Sequence, residues 1–252
     1  QELQLLNKFN IEVFSVLGSV ADKDRFQYIC EDFNVQTIYH AAAYKHVPLF
    51  EYNQSEGVLN NSIGTMNVAR VAIEANVETF VLISTDKAVN PSSLMGACKR
   101  VAEIYCQQLA SRSDTKFITV RFGNVLESSG SVVTKFQQQI KQGGPITVTH
   151  PEMTRYFMTI TEASQLILEA SAMGEDGRIY VLDMGKPVLI SQLAEQLIRL
   201  SGREPGKDIE IIYTGLRAGE KLHEELFHDD ESLTDTGVDK IQLADTRTVS
   251  VE

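Results

Sequence analysis

The residues with the clearest capacity for chemistry form the segment 84–87, Ser-Thr-Asp-Lys, which follows the apolar run 79–83. That run predicts a buried strand, and ligands of open α/β sheets bind beyond the carboxyl ends of the strands. A hydroxyl, a carboxyl and an amine in succession could exchange protons with one substrate. A structural explanation also exists, because Asp86 could cap the next helix and Lys87 could be a surface charge.

Two further positions bear on this segment. Lys99 lies four residues after Met95 in a predicted helix, so the two side chains share one helix face. Lysines usually face solvent, and Lys99 gains meaning only from the segment 84–87 before it. Asn61 opens an earlier predicted helix, where its side chain could cap the helix, or could hold a backbone distortion or a water near a catalytic lysine.

Small and basic residues follow another predicted strand. Ala41, Ala42 and Ala43 would let a flat ligand approach the backbone, although packing of a helix on the sheet explains them as well. Lys45 and His46 come next, in a loop, where such residues are more often solvated than functional.

A third group could bind phosphate. Asn124 follows the predicted strand 117–122, and Arg155 and Arg217 lie on later segments, the second just before a helix predicted to start at Glu220. Each arginine alone would be a surface charge. Together with Asn124 they could converge on a diphosphate, because a guanidinium group matches phosphate oxygens in a bidentate manner.

The composition narrows the class of protein. The chain has 252 residues, 43% of them hydrophobic, which suffices for one large domain or for a domain with a smaller lobe. The formal net charge of -11 argues against nucleic acid as a partner, though not against a nucleotide. The cysteines and histidines lack metal-like spacing, so we expect no metal, and reduced thiols in the cytoplasm. No apolar run reaches the roughly 18–20 residues that span a bilayer, and no signal peptide is evident.

Strands and helices alternate along the chain, which predicts an α/β fold with a mostly parallel sheet. Strands are predicted at 11–17, 35–40, 79–83, 117–122, 146–149, 178–184 and 209–213. Helices are predicted at 22–33, 60–76, 95–112, 132–141, 161–173 and 190–201, with a helix-like pattern at 1–10. The segment 146–149 alternates like an exposed strand. The acidic stretch 229–252 is expected to be poorly ordered or loosely draped over the surface.

Several segments together resemble the extended short-chain dehydrogenase/reductase superfamily, and within it the UDP-N-acetylglucosamine 4,6-dehydratase group, in particular its long, membrane-anchored members. The matching segments, which span nearly the whole chain, are Ala41–Pro48, Ile83–Pro91, Met95–Arg100, Val120–Val125, His150–Met158 and Arg217–Leu226. The resemblance implies a Rossmann-like, doubly wound parallel sheet with a smaller C-terminal α/β lobe. Residues 1–125, completed by a strand near 178–185, would form a truncated NAD(P)-binding domain, and 126–177 with 186–252 would form the nucleotide-sugar-binding lobe.

The sequence departs from the family pattern in two places. The family begins with a strand and a Gly-rich turn that seats the cofactor pyrophosphate at a helix N-terminus, and neither is in this sequence. We therefore expect the chain to be part of a longer protein whose missing part selects NAD or NADP. Met95 stands where the superfamily has a catalytic tyrosine, and the long members of the dehydratase group are known for that methionine.

The resemblance also implies a reaction. Hydride would leave C4 of the sugar for tightly held NAD or NADP, a base would remove the C5 proton, the C6 hydroxyl would leave as water, and the hydride would return to C6. Thr85 would hydrogen-bond O4 and replace the missing tyrosine as proton acceptor, with help from Lys99 or from water left open. Lys87, uncharged, would take the C5 proton, and protonated Asp86 would release the C6 hydroxyl. Lys99 would bind the nicotinamide ribose.

The remaining sites follow from the same resemblance. The cofactor would be bound by Ala41, Ala42, Ala43, Lys45, Asn61, Ser84 and Lys99. The UDP-sugar would be bound by Lys45, His46, Asn124, Arg155, Arg217 and Glu220. Met95 completes the catalytic set. We also expect a homo-oligomer in the cytoplasm. Whether an anchor upstream of this chain holds it at the cytoplasmic face of the membrane is left open.

Other functions remain open. A UDP-sugar 4-epimerase on the same scaffold would return hydride to C4 and would need neither the acid nor the base that Asp86 and Lys87 supply. Inversion at C5 during dehydration is also open, although Met95 favours retention. A cofactor-binding protein with an inactive site is the alternative from another class, supported by Met95 and by the missing Gly-rich turn.

Overall fold

The computed structural model describes residues 11–126, 128, 130–228 and 231–245. Its strands are β1 (Thr37–His40), β2 (Thr79–Thr85), β3 (Lys116–Phe122), β4 (Asn124–Val125), β5 (Ile146–Val148), β6 (Thr154–Arg155), β7 (Phe157–Met158), β8 (Arg178–Leu182), β9 (Val188–Leu189), β10 (Ile211–Tyr213), β11 (Leu233–Asp235) and β12 (Ile241–Ala244). Its α-helices are α1 (Lys23–Asp32), α2 (Val47–Tyr52), α3 (Gln54–Val58), α4 (Gly64–Glu74), α5 (Leu94–Ala110), α6 (Val132–Lys141), α7 (Ile160–Met173) and α8 (Ile190–Leu200). The helix-like pattern at 1–10 lies outside the described residues.

A six-stranded sheet forms the centre, in the order β1-β2-β3-β8-β12-β11. The strands β1, β2, β3 and β8 run parallel to one another. At one edge β12 pairs antiparallel with β8, and β11 pairs antiparallel with β12. β2 and β3 are near-continuous apolar runs because helices cover both faces of the sheet. Phe80 and Phe117 pack under α1, α4 and α5 on one face, and Val81 and Ile118 pack under α7 on the other. The predicted doubly wound α/β fold is confirmed.

A smaller unit lies beside this sheet. β5 pairs in parallel with β10, and α6 and α8 pack against them around Phe136, Ile146 and Ile198. The predicted alternating strand at 146–149 is present as β5, but it is not exposed, because Ile146 and Val148 are buried under the two helices. The division of the chain into two domains at the stated boundaries stays a prediction.

Three local predictions differ from the structure. Residues 11–17 form no strand, because no described strand lies beside them to accept their backbone hydrogen bonds. The final stretch is not loosely draped between 233 and 244: β11 and β12 join the central sheet, and Ile241 is buried. No helix starts at Glu220, where the chain runs through turns instead.

Polar side chains fix the starts of the helices that surround the site. Ser93 accepts a hydrogen bond from the backbone N–H of Gly96 and so caps α5. Ser131 caps α6 in the same way. Among the described residues, no helix is both long and apolar enough to cross a membrane.

Candidate active site

A cavity of about 510 Å³ opens beyond the carboxyl ends of β1, β2 and β3. Its volume is within the roughly 300–1,000 Å³ of small-molecule sites. The smaller unit provides the opposite wall through α6 and β5. The predicted site residues on its wall are Ala41, Ala43, Lys45, His46, Ser84, Thr85, Lys87, Met95, Lys99, Asn124, Arg155, Arg217 and Glu220. Three predicted residues, Ala42, Asn61 and Asp86, are not part of the wall.

Lys87 is held at the floor of this cavity by two neighbours. Its Nζ donates to Asp86 Oδ1 at 2.8 Å and to Asn124 Oδ1 at 3.3 Å. Thr85, the last residue of β2, donates its hydroxyl proton to the same Asp86 oxygen at 2.8 Å. The two strand ends thus bring a hydroxyl, a carboxylate, an amine and an amide into one hydrogen-bonded group.

Asp86 lies beneath the wall rather than on it. Its side chain is fully buried, and the residue starts the 3-10 turn Asp86–Ala88 that follows β2. Oδ2 has no hydrogen-bond partner among the described residues. A Cβ on Gly123, which does line the cavity, would lie 3.2 Å from Oδ2. Gly123 is therefore a wall residue whose backbone lies close to this buried oxygen.

α5 carries Met95 and Lys99 to the same cavity. Gly96 makes this approach close, because a Cβ there would overlap the backbone oxygen of Lys87. Lys99 Nζ donates to the backbone oxygen of Ile83 at 2.9 Å. Burial lowers the pKa of Lys99 to about 8, against an opposing effect of the Glu103 carboxylate. The amine is therefore close to its titration point at physiological pH.

Asn61 positions a loop of the site. It lies in the π-helical turn Leu59–Ile63, and its amide accepts from the backbone N–H of Tyr44 at 2.8 Å and donates to the Tyr44 oxygen at 2.9 Å. It caps no helix. Of the interpretations left open by the sequence, a role at a backbone distortion agrees with this placement, since the π-helical turn is that distortion.

A buried ionic network supports the site from below. Ser84 donates to Glu103 at 2.6 Å, and Arg121 donates to Glu103 and to Glu231, with closest distances of 3.0 and 2.9 Å. Burial would raise the pKa of Glu103, but the charge and hydrogen bonds of Arg121 lower it overall. Arg121 therefore ties α5 and β3 to the segment before β11.

The residues predicted to bind phosphate are brought together only in part. Arg155 donates to the backbone oxygens of Thr154, Leu222 and Lys221, so its guanidinium group holds the segment around 222. Arg217 donates to Glu220 at 2.5 Å.

Lys45 and His46 also line the cavity. Lys45 Nζ donates to Ser128 Oγ at 3.2 Å. His46 lies against Gly130, where a Cβ would come within 2.6 Å of its ring. These contacts connect the loop after β1 with the segment that leads into α6.

The sequence-based reasoning missed two charged wall residues, Glu224 and Lys135. Glu224 is contained in the segment Arg217–Leu226 that carried the resemblance, and this was the only signal for it. Lys135 lies on α6, near Arg217, and burial and then that positive charge lower the pKa of Lys135. Among the described residues, no group of three or more His, Cys, Asp or Glu side chains is arranged to hold a metal ion.

The fold and cavity define an α/β protein of the Rossmann type with a ligand site at the carboxyl edge of its parallel sheet. The model of one family, described as "Polysaccharide biosynthesis protein", matches residues 1–246. The chain belongs to that family, whose structural neighbours include short-chain dehydrogenase/reductase enzymes.

Relatives of known name support this assignment. The chain is 55% identical over 232 residues to the capsular polysaccharide biosynthesis protein CapD of Staphylococcus aureus, covering 92% of this chain and 39% of CapD. It is 35% identical to a UDP-N-acetylglucosamine 4,6-dehydratase (inverting) of Campylobacter jejuni, covering 86% of this chain and 63% of that protein. It is 37% identical to a UDP-glucose 4-epimerase of Rickettsia canadensis, covering 76% of this chain and 56% of that protein. The chain thus spans less than two thirds of each of these relatives.

Solved structures show the same fold. Pen from Bacillus thuringiensis superimposes with a TM-score of 0.86 at 33% identity, covering 96% of this chain and 75% of that chain. DesIV of Streptomyces venezuelae, a dTDP-glucose 4,6-dehydratase with NAD and TYD bound, superimposes with a TM-score of 0.79 at 19% identity, covering 90% of this chain and 74% of that one.

Proposed function

We propose that the protein is a nucleotide-sugar 4,6-dehydratase that converts UDP-N-acetylglucosamine to a UDP-4-keto-6-deoxy-N-acetylhexosamine for polysaccharide biosynthesis. The observation that carries the proposal is the Lys87 amine, hydrogen-bonded to Asp86 and Asn124 on the wall of a cavity shared with Lys99. Elimination of water needs an acid and a base side by side, and this pair supplies both. The name of the Campylobacter jejuni relative supports the same substrate.

The residues present fit the nicotinamide end of NAD or NADP. Ala41 and Ala43 leave space along the wall, and the Lys99 amine can donate to a ribose hydroxyl. Such a cofactor, when bound, accepts hydride from C4 of the sugar and returns it to C6. Burial, which holds the pKa of Lys99 at about 8, keeps this amine able to change its charge near neutral pH.

The hydrogen bonds of Asp86 provide a route by which the proton of the 4-hydroxyl would reach the leaving C6 hydroxyl. Thr85 takes the proton of the 4-hydroxyl as its own proton passes to Asp86 along the 2.8 Å hydrogen bond. Protonated Asp86 then gives that proton to the C6 hydroxyl, which leaves as water, while uncharged Lys87 takes the C5 proton. This step leaves the ion pair between Asp86 and Lys87 that the structure contains. Lys87, whose ammonium protons exchange with solvent, would finally give a proton to C5 as hydride reaches C6.

The substrate's UDP group would occupy the part of the cavity between α6 and the segment around 217. Arg217 and Lys135 supply positive charge there, and Glu220 could accept from a ribose hydroxyl. Arg155 would contribute mainly by holding the wall, because its guanidinium group is occupied by backbone oxygens. His46 and Lys45 line the same cavity and would contact the substrate there.

The test replaces the two central residues in the full-length protein. Asp86→Asn and Lys87→Ala should each lower formation of the 4-keto-6-deoxy product by about 10²–10⁴-fold. Lys87→Ala should also abolish the incorporation of solvent deuterium at C5. Lys141→Ala, an exposed lysine in the last turn of α6, is the matched control and should retain activity. Turnover near that of the wild type in both active-site variants would contradict the assigned roles.

A UDP-sugar 4-epimerase is the second candidate, because a relative of that name is 37% identical to the chain. The Asp86–Lys87 pair argues against it, since exchange at C4 requires no proton transfer at C5 or C6. An epimerase would give a product of unchanged mass and no C5 deuterium, and an inactive binding protein would give no product. A homo-oligomer in the cytoplasm, with or without an upstream anchor at the membrane, also remains part of the proposal.

A further inference from the structure

Glu224 brings a second carboxyl group to the Asp86–Lys87 pair. Its Oε1 lies 3.8 Å from Lys87 Nζ and 3.9 Å from Arg155 Nε, and its side chain is only 4% exposed. The residue lines the cavity. Its Oε2 is buried and has no hydrogen-bond partner among the described residues. A buried carboxyl oxygen without a hydrogen-bond partner destabilises the fold, so its presence in the cavity wall needs an explanation.

Lys87 consequently lies between two carboxyl groups that hold it differently. Asp86 contacts the amine directly through a hydrogen bond of 2.8 Å, whereas Glu224 is about one ångström farther away. At such distances, away from bulk water, the charge on one group changes the proton affinity of the next.

The charged groups around Glu224 come from three parts of the fold. Lys87 and Asp86 face it from the turn after β2, Arg155 from β6, and Lys221 from its own segment. Burial raises the pKa of Glu224. Among its neighbours, Asp86 acts in the same direction, and the three cations act against it.

We propose that Glu224 is a positioning residue that acts through Lys87, its carboxylate holding the proton on the Lys87 amine and thereby setting the pH at which that amine becomes free. The catalytic consequence rests on the proposed dehydratase function, because only an uncharged Lys87 can take the C5 proton. The electrostatic claim itself concerns this chain alone and can be measured without turnover.

The experiment follows the reactivity of the Lys87 amine. The full-length wild type, Glu224→Gln and Glu225→Gln are acetylated with a trace of acetic anhydride between pH 6 and pH 11, and the Lys87 peptide is quantified by mass spectrometry. Only the free amine reacts, so the midpoint of the curve reports when Lys87 loses its proton. Glu225 is the matched control, because its carboxylate bonds Lys221 and Asn90 instead.

Loss of the Glu224 charge should lower the midpoint of Lys87 acetylation by about one pH unit, and Glu225→Gln should leave it within about 0.3 unit. An unchanged midpoint in Glu224→Gln, or one shifted upward, overturns the inference. Glutamine has the same volume as glutamate, so the fold should persist. If it does not, Glu224→Asp is used, which retracts the charge by one methylene group and should give a smaller shift in the same direction.

A second measurement separates this inference from the proposed function. The pH profile of product formation should shift with the acetylation midpoint in Glu224→Gln. A residue that only packs the wall would lower the rate at every pH without moving the profile, and that result overturns the inference. If the wild type forms no dehydrated product, the proposed function fails, and the acetylation midpoints alone still decide the role of Glu224.

Discussion

Replacement of Lys99 by methionine should stabilise the protein at neutral pH, although it removes a proposed cofactor-binding group. Lys99 is 6% exposed, and burial lowers its pKa from 10.5 to about 8. That difference means that folding with a charged Lys99 costs about 3 kcal/mol. The variant also loses the hydrogen bond to the Ile83 oxygen, which contributes about 1 kcal/mol. The expected net gain at pH 7 is therefore about 2 kcal/mol.

The gain should depend on pH in a defined direction. The unfolded chain keeps the proton on Lys99 up to about pH 10.5, whereas the folded protein loses it near pH 8. The cost of Lys99 is thus fully present below pH 8 and declines above it. The advantage of Lys99→Met over the wild type should fall by about 1.4 kcal/mol between pH 7 and pH 9. Burial raises the pKa of Cys106 to about 12 against the opposing charge of Lys99, so the thiol stays protonated in both folded proteins between pH 7 and pH 9.

Urea unfolding of the wild type, Lys99→Met and Lys141→Met at pH 7, 8 and 9 measures these differences. The exposed Lys141 is the control and should show no pH-dependent difference from the wild type. A variant at position 99 that is less stable than the wild type at pH 7 would refute the reasoning. So would a difference that stays constant from pH 7 to pH 9.

Three further substitutions test separate contacts. Gly123→Ala should lower product formation about 10- to 100-fold and should also lower the melting temperature, because the new methyl group would lie 2.9 Å from Tyr156 Cβ and 3.2 Å from Asp86 Oδ2; unchanged kcat would contradict this. Glu231→Gln should lower the free energy of unfolding by about 2–3 kcal/mol in urea titrations, because the fully buried Arg121 loses one of its two charged partners. Asn61→Ala should cost about 2 kcal/mol by the same measurement, since it frees both backbone groups of Tyr44; a loss below about 0.5 kcal/mol would show that water replaces the amide.

The sequence predicted the fold class and the position of the cavity for a common physical reason. Near-continuous apolar runs such as 79–83 mark strands covered on both faces, and alternation with helices makes those strands parallel. Parallel strands end at the same edge, and polar residues at those ends, such as Thr85 and Asn124, line one cavity.

The sequence could not show which of these side chains reach the cavity. Asp86 and Lys87 are neighbours, yet the 3-10 turn buries the first and directs the second to the wall. Glu224 lies far from both in sequence, and only the packing of the segment around 222 against Arg155 brings it near Lys87. The burial of β12 in the final stretch was missed because its short apolar run is surrounded by acidic residues that suggest disorder.

Mass spectrometry of UDP-N-acetylglucosamine incubated with the full-length protein and NAD or NADP tests the central claim most directly. We predict a product lighter by one water, and in deuterium oxide this product should carry one deuterium at C5. A product of unchanged mass, or recovery of the substrate alone in the presence of either cofactor, would contradict the assignment of Asp86 and Lys87 as the acid and base of a dehydration.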